Sequence, residues 1–272
     1  FDEAMAVIAS TARPLGVESV AFIDAAARVL ATDLTARADA PLRATSAMDG
    51  YAVHDADVLA LPVTLPVVAN IYAGDVPKEP LAQGKAARIF TGAMLPNGGT
   101  RVIVQENCEA QNGAVHILRP HGHARHIRAA GSDFKAGDVL LPAGTVLTPQ
   151  AMVAAGAADV AALSVRRRAQ VAVVSSGDEL AAAGSAHIRV GAIPESVGPA
   201  VAAMAQVAGA TIVHRALVPD DLHAMQAAAE RALSIADAVI VTGGASVGEK
   251  DFARAAFAPF GLELLIDKVA IK

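Results

Sequence analysis

From residue 170 onward, short apolar runs alternate with longer segments of helical spacing. The runs that read as strands are QVAVVSS, ATIVHRALV, DAVIVTG and LELLIDKVAIK, and the intervening helices are GPAVAAMAQVAG, DDLHAMQAAAERALSIA and KDFARAAFAPFG. Strands that alternate with helices of this length form a parallel sheet with helices on both faces. The pattern therefore predicts a doubly wound, mainly parallel α/β domain over residues 168–272.

The middle of the chain has a different pattern, in which short β-rich runs are separated by Gly, Pro and Asn turns. The clearest runs are LPVTLPVVANIY, KAARIFTGAML and TRVIVQENCEAQNGAVHIL. Runs of this length between turn residues are typical of antiparallel strands. We predict an inserted β-rich domain over residues 44–124.

Helical patterns flank this block on both sides. In SVAFIDAAARVLATD, Ser19 is a candidate N-cap, and in LTPQAMVAAGAADV, Thr148 caps a helix that has Pro149 at its first position. We expect residues 1–43 and 125–167 to form one discontinuous helical, elongated linking domain. The predicted fold class is thus a multidomain α/β protein.

Composition changes this picture only by excluding partners. Of the 272 residues, 54% are hydrophobic and 18% charged, and the net charge is −5. No lysine-rich stripe or long apolar stretch appears, so we expect no nucleic-acid and no membrane partner. Without a signal-like start, the chain is expected to be soluble and cytoplasmic. Because it starts at Phe1 and stops in a strand-like run, we expect a fragment of a longer protein.

Cys108 is the single cysteine of the sequence. It can form no intrachain disulfide and no cysteine-based metal site. A lone cysteine is most often a small hydrophobe, and we predict that Cys108 is buried.

Polar residues gather at the predicted ends of the four parallel strands, where ligands bind in open sheets. The first strand ends in Ser175 to Glu179, the second in Asp220 and Asp221, and the third in a glycine loop, TGGASVG, followed by Asp251. The fourth runs from Lys268 to Lys272. The pattern predicts that hydroxyls, carboxylates and lysines converge on one edge of the sheet.

The glycine loop has two functional interpretations besides an ordinary turn. Glycines before a helix let backbone N–H groups approach a phosphate, although Glu249 stands where a Walker lysine would be. Gly244 to Gly248 also match Gly-x-Ser-x-Gly, the nucleophile elbow of hydrolases, with Ser246 as nucleophile. Those enzymes need a histidine after the serine, and the last histidine here is His223. The hydrolase hypothesis therefore ranks second.

The carboxylates also allow two interpretations. Asp178, Asp220 and Asp221 lie at predicted helix starts, where acidic residues complement the helix dipole. Beside a phosphate, the same residues could hold Mg²⁺. Elsewhere, Asp49 in MDGY is by composition a turn residue. Arg128 and Asp133 read as a surface pair.

Six motifs occur in the order seen in molybdopterin molybdenumtransferases, a family that includes bacterial MoeA and the E domain of gephyrin. They are SAMDGYAV (46–53), FTGAMLPNG (90–98), IRAAGSD (127–133), VSSGDEL (174–180), VTGGASVGEKDF (241–252) and KVAIK (268–272). The resemblance implies insertion of molybdate into adenylylated molybdopterin, with Mg²⁺-dependent release of AMP. It also implies a homodimer whose active site is shared between the last domain of one subunit and the β-rich domain of the other. A non-catalytic scaffold is the alternative within this resemblance.

The resemblance also assigns site residues by position. It implies catalytic roles for Asp49, Asp251 and Glu179. It implies metal ligands at Asp178, Asp220 and Asp221. It implies that substrate is bound by Thr91, Arg128, Asp133, Lys268 and Lys272. The phosphate interpretation of the strand ends adds, as substrate-binding residues, Ser176, Gly177, Thr242, Gly243, Gly244, Ser246 and Gly248.

The sequence departs from the family pattern at two places that bear on the site. Glu195-Ser196-Val197 stands where the family has Asp-Ser-Asn or Asp-Thr-Asn. The chain also stops within the family's Lys-Pro-Gly-Lys-Pro motif, before the C-terminal β domain that is expected to supply most molybdate contacts.

Overall fold

The computed structural model describes residues 1–119, 122–243 and 252–269. The helices are α1 (Asp2–Thr11), α2 (Pro149–Ala157), α3 (Val197–Val207), α4 (Leu222–Ile235) and α5 (Ala253–Phe257). The strands are β1 (Val17–Ala21), β2 (Leu34–Thr35), β3 (Thr45–Ser46), β4 (Gly50–Val53), β5 (Val63–Ile71), β6 (Ala86–Ile89), β7 (Arg101–Val104), β8 (Cys108–Gln111), β9 (Ala114–Ile117), β10 (Ile127–Arg128), β11 (Val139–Leu141), β12 (Ala162–Arg166), β13 (Gln170–Ser176), β14 (Leu180–Ala181), β15 (Ile193–Pro194), β16 (Thr211–Val218) and β17 (Ala238–Thr242).

The chain divides into two compact units. The first unit is Phe1–Thr32, Gly144–Pro149 and Ala162–Lys272, and the second unit is Asp33–Ala143 and Gln150–Ala161. Both units are therefore built from discontinuous segments. The division into three domains with the predicted boundaries stays a prediction.

The first unit contains a parallel sheet with strand order β16-β13-β17. Side chains of the central strand β13 alternate between two cores. Val171 and Val173 pack with α3, whereas Ala172 and Val174 pack with α4 and α5. The sequence prediction of a parallel sheet with helices on both faces is confirmed for these three strands.

The predicted fourth strand, LELLIDKVAIK, is wrong over its described part. Residues 262–269 contain no strand, and residues 270–272 lie outside the described range. Leu265 to Val269 instead line a surface cavity of about 380 Å³ together with Phe1, Glu3, Ala4 and Val7 at the start of the chain. An apolar run alone does not specify a strand, because a strand also needs a partner edge to satisfy its backbone.

The predicted helix after Ser19 is also wrong. Val17–Ala21 form β1, which pairs antiparallel with β12 so that Val20 faces Leu163. A 3₁₀ turn at Phe22–Asp24 follows, and the N-terminal helix is α1. The β-branched Val17 and Val20 favour a strand once a partner is present. That partner lies more than 140 residues away in sequence, so local periodicity could not reveal it. The start of α2 at Pro149 is as predicted.

The second unit is built around a six-stranded sheet of order β7-β4-β6-β5-β9-β8. Neighbouring strands are antiparallel except for the parallel pair β5–β6. Along β4, Tyr51 and Val53 belong to one apolar cluster and Ala52 to another, as the alternation of a strand requires. The mainly antiparallel character predicted for the middle block is confirmed.

Cys108 lies at the start of β8, partly buried at the edge of the cluster that contains Ile117. Its Sγ donates to the Val104 carbonyl oxygen at 3.5 Å. Burial raises the pKa of the Cys108 thiol to about 11. The residue therefore behaves as a small, largely unreactive hydrophobe, close to the prediction. None of the helices in the described part of the chain combines the length and apolar character needed to cross a bilayer.

Asp237, between α4 and β17, is expected to make the first unit acid-sensitive. Its carboxylate accepts from Arg167 Nη1 at 2.7 Å and Nη2 at 2.8 Å, and from the Gln170 N–H at 2.8 Å. These hydrogen bonds, led by that of Arg167, lower the pKa of Asp237 to about 2. Asp237→Asn should lower the melting temperature at neutral pH by a few degrees, measured by circular dichroism.

The contribution of Asp237 to the free energy of unfolding depends on pH. The folded pKa lies below the unfolded value of about 3.9, so the stabilisation is present above that value and is lost as the pH falls towards the folded pKa. The difference in melting temperature between wild type and Asp237→Asn should therefore shrink as the pH falls from about 5 to about 2. The exposed Asp24→Asn serves as control and should show no such difference. An unchanged difference at low pH would contradict the assignment.

Candidate functional site

Asp49 and Thr91 form a hydrogen-bonded pair in the second unit. Asp49 directly precedes β4 and Thr91 follows β6, and these strands are antiparallel neighbours with Gly50 opposite Ile89. The Thr91 N–H and Oγ1 donate to Asp49 Oδ1 at 2.8 and 2.7 Å. Together they lower the pKa of Asp49 below its ordinary value of 3.8, with a smaller contribution from the Arg88 charge. Asp49 is therefore an ionised, half-buried carboxylate at neutral pH.

Arg128 and Asp133 also pair within the second unit. Arg128 Nη2 donates to Asp133 Oδ2 at 2.5 Å, and both side chains are about half exposed. This hydrogen bond lowers the pKa of Asp133. Arg128 belongs to β10, where it lies opposite Thr45 of β3. The structure confirms the pair predicted from sequence, and a role in substrate binding stays a prediction.

In the first unit, the ends of β13 and β16 are joined through an aspartate on each loop. Ser176 Oγ donates to Asp220 Oδ1 at 2.8 Å. The Asp178 N–H donates to Asp220 Oδ2 at 3.4 Å, and the Asp220 N–H donates to Asp178 Oδ1 at 3.1 Å. Two carboxylates and a hydroxyl therefore meet where two parallel strands end, as predicted.

The end of β17 lies at the same edge. Thr242 is paired with Ser175 in the sheet, and its Oγ1 donates to Ser175 Oγ at 2.9 Å. Gly243 follows with a φ of +84°, and a Cβ at this position would come within 2.2 Å of the Ser176 carbonyl oxygen. The chain can pass this closely to the end of β13 only with glycine. Gly177 is likewise close to the neighbouring loop, because its N–H donates to the Val218 carbonyl oxygen at 3.3 Å.

The other predicted site residues of the first unit, where the structure describes them, contact different parts of the chain. The Glu179 carboxylate folds back over Gly177, where an added Cβ would lie 2.8 Å from Oε2. Asp221 Oδ1 accepts from the Ala224 N–H at 2.8 Å and caps α4. Lys268 lines the surface cavity with the start of the chain, and no described contact joins it to the strand ends. The other predicted residues lie outside the described range, namely Gly244, Ser246, Gly248, Asp251 and Lys272.

Glu195 stood out in the sequence only as part of a departure from the family motif, and the burial of its carboxylate next to these strand ends was not predicted. Glu195 is 9% exposed, and its Oε1 accepts from Ser175 Oγ at 3.0 Å and the Gly198 N–H at 2.7 Å. Arg215 Nη2 lies 3.7 Å from Oε2. Glu195 and Arg215 line a cavity of about 480 Å³. The available signal was its position just before α3, where a carboxylate can accept from the first N–H groups of the helix.

The carboxylates at the strand ends determine whether a divalent cation could bind there. Within residues 1–119, 122–243 and 252–269, no group of three or more His, Cys, Asp or Glu side chains is arranged as a ligand set. Asp178 and Asp220 are two carboxylates held side by side. Mg²⁺ is commonly held by one or two carboxylates, with substrate phosphates and water completing its shell. The pair fits that requirement, whereas Asp221 is engaged in capping α4.

Comparisons with known proteins agree along the chain. The family described as MoeA N-terminal region (domain I and II) matches residues 1–158, and the probable molybdopterin binding domain matches residues 172–272. A molybdopterin molybdenumtransferase of Nostoc sp. is 37% identical over 249 residues, covering 90% of this chain and 57% of the relative. One from Haemophilus influenzae is 34% identical over 260 residues, covering 95% of this chain and 64% of the relative.

A solved structure extends the similarity to three dimensions. The molybdopterin biosynthesis MoeA protein from Pyrococcus horikoshii superposes with a TM-score of 0.80 at 30% identity, covering 96% of this chain and 66% of that one. The chain thus spans less than two thirds of the length of these relatives.

Proposed function

Because the chain belongs to the MoeA family, we propose that it acts in molybdenum cofactor biosynthesis as a molybdopterin molybdenumtransferase. It inserts molybdate into adenylylated molybdopterin and releases AMP. Curated relatives that carry this enzyme name align with 90% or more of the chain, which supports the proposal. The sequence motifs that resemble this family lie in both compact units.

The observation that carries the proposal is the meeting of three parallel strand ends around Ser176, Asp220 and Gly243. Open parallel sheets bind nucleotides and phosphates beyond the carboxyl ends of their strands. The Ser176 hydroxyl is hydrogen-bonded to Asp220 at this edge, and the backbone of Gly243 directly after β17 could offer its N–H to a phosphate. We infer that the substrate's pyrophosphate linkage binds at this edge, where hydroxide derived from water bonds to phosphorus as the P–O bond to the leaving AMP breaks.

Asp178 and Asp220 would hold Mg²⁺ at the same edge. Their negative charge would otherwise repel a pyrophosphate, and a bound Mg²⁺ neutralises charge on the phosphate oxygens. Ser176 and the Asp178 N–H orient the Asp220 carboxylate through the hydrogen bonds described above. Asp221 contributes by fixing the start of α4 rather than by ligation.

Asp49 is the catalytic candidate of the second unit. Since Thr91 holds Oδ1, the carboxylate has a defined orientation within its own unit, which supports the proposal that it acts on the reacting phosphate or the attacking oxyanion. We propose that the protein is a homodimer in which Asp49 acts on substrate bound by the other subunit. Light scattering on the full-length protein should give twice the chain mass, and a monomer would contradict this arrangement.

Genetic complementation tests the proposed function. The full-length gene should restore molybdoenzyme activity in a cell that lacks this step, and the purified protein should release AMP from adenylylated molybdopterin only when molybdate is present. A full-length gene carrying Asp178→Asn and Asp220→Asn serves as the negative control. If the unmodified protein is produced in folded form but restores no activity, the proposed function is wrong.

A further inference from the structure

Arg88 of β6 lies directly opposite Tyr51 of β4, next to the Asp49–Thr91 pair. The centre of its guanidinium group is 5.0 Å from the Tyr51 ring centroid and 4.6 Å from that of Phe90. Phe90 stacks in turn on Tyr72, with centroids 4.7 Å apart and planes inclined by 9°. Contacts of a guanidinium with aromatic faces restrict its plane as well as its position.

The guanidinium also donates to two groups close to the Asp49 backbone. Nη1 donates to the carbonyl oxygen of Gly50, the residue after Asp49, at 3.1 Å. Nη2 donates to Gln105 Oε1 at 2.7 Å, and the Gln105 N–H donates to the Asp49 carbonyl oxygen at 3.0 Å. Phe90, under the same guanidinium, directly precedes Thr91. Arg88 therefore contacts the residue after Asp49, the Gln105 side chain and the residue before Thr91.

We propose that Arg88 is the positioning residue of this site, holding the backbone around Asp49 and Thr91 so that the carboxylate keeps one orientation. The proposal rests on the proposed function, in which Asp49 acts on substrate. The role requires arginine, because only a planar fork donates in two directions while lying flat on a ring. A lysine would retain the charge but not this geometry.

The test compares three variants of the full-length protein by kinetics and by carbon-13 NMR of aspartate carboxyl groups, with the Asp49 signal assigned from its loss in Asp49→Asn. Arg88→Met removes both the positive charge and the planar guanidinium group, whereas Arg88→Lys keeps the charge and removes only the guanidinium geometry. Arg125→Met is the matched control, because Arg125 is an exposed arginine of the same unit that pairs with Asp55.

We expect kcat to fall roughly ten- to a hundredfold in both Arg88 variants while KM changes little, since misplacement of a reacting group acts on the chemical step. The pKa of Asp49 should rise in Arg88→Met and rise less in Arg88→Lys, because the Arg88 charge contributes to lowering that pKa. Arg125→Met should match the wild type in both measurements.

A purely structural role for Arg88 predicts something else, namely a lower melting temperature with wild-type kcat in both variants and an unchanged pKa of Asp49 in Arg88→Lys, and that result would overturn the proposal. If Arg88→Met does not fold, the proposal is tested by Arg88→Lys alone. A wild-type kcat in Arg88→Lys would then contradict the proposal. If the wild-type protein inserts no molybdenum, the proposed function fails. The Asp49 pKa in Arg88→Lys, which keeps the charge, then tests the positioning alone.

Discussion

Replacing Asp49 by asparagine is expected to reduce the proposed molybdate insertion by the full-length protein by about a hundredfold or more, the scale on which a catalytic carboxylate acts. Asparagine keeps the size of the side chain, and its amide oxygen can still accept from Thr91. What it loses is the negative charge, which the Thr91 hydrogen bonds and the Arg88 charge maintain at neutral pH. Molybdate-dependent AMP release measures the effect.

The matched control for this substitution is Asp138→Asn. Asp138 lies in the same unit, and its carboxylate also accepts a backbone N–H, that of Lys135 at 2.7 Å. It belongs to none of the predicted site positions, so its variant should retain wild-type activity. Equal activity in the Asp49 and Asp138 variants would show that Asp49 is a turn residue, as its Met-Asp-Gly-Tyr context suggests by itself.

The pH profile provides a second readout of the same carboxylate. The folded pKa of Asp49 lies below its ordinary value, so Asp49 stays ionised at every pH above that value. Activity that needs this charge should show no loss attributable to Asp49 down to about pH 5. Thr91→Val removes the Oγ1 donor but keeps the N–H donor, so the pH at which activity is lost on acidification should be higher in this variant. If that pH is the same as in the wild type, protonation of Asp49 is not the cause of the loss.

The spacing of apolar residues within each segment was enough to predict the parallel sheet of the first unit. The segments β13, α3, β16, α4 and β17 each bury a face that is visible in their own sequence, and a general rule places ligands at the ends of such strands. The hydrogen bond from Ser176 to Asp220 joins two of these strand ends. These parts could be predicted because each depends on nearby residues and on a common topology.

Other parts depend on partners far away in the chain. Val17–Ala21 have the apolar spacing of a helix, yet pairing with Ala162–Arg166 makes them a strand. Residues 262–269 are apolar but form no strand within the described range. The contact between Asp49 and Thr91 spans 42 residues and follows from strand order, which composition does not encode. Family motifs identified both residues, but only the coordinates show that they touch.

Gly50 illustrates how one motif position can carry a requirement that its local sequence hides. The Asp-Gly pair suggests a hairpin turn, but Gly50 is the first residue of β4 and lies between β6 and β7. A Cβ at Gly50 would lie 2.0 Å from the Ile103 carbonyl oxygen and 2.9 Å from the Ile103 carbonyl carbon. These are backbone atoms of the neighbouring strand, so no side-chain rotation can relieve the overlap.

Gly50→Ala is therefore expected to destabilise the second unit by at least about 2 kcal/mol, in the range found for overpacked interiors. Separating β4 from β7 would break the pairing of Gly50 with Val104 and expose Ile103, which is fully buried. Urea unfolding followed by circular dichroism measures the loss, and amide hydrogen exchange should show that it begins in β4 and β7.

Gly16→Ala provides the control, because a Cβ there meets nothing within 4 Å. Its unfolding midpoint should equal or slightly exceed that of the wild type, since alanine restricts the unfolded chain more than glycine does. If Gly50→Ala unfolds at the same urea concentration as Gly16→Ala, β7 has room to move away, and the glycine of this motif serves the turn and not the sheet. Because Asp49 immediately precedes Gly50, a displaced β4 would also move the carboxylate, so Gly50→Ala should lose activity even at temperatures where it remains folded.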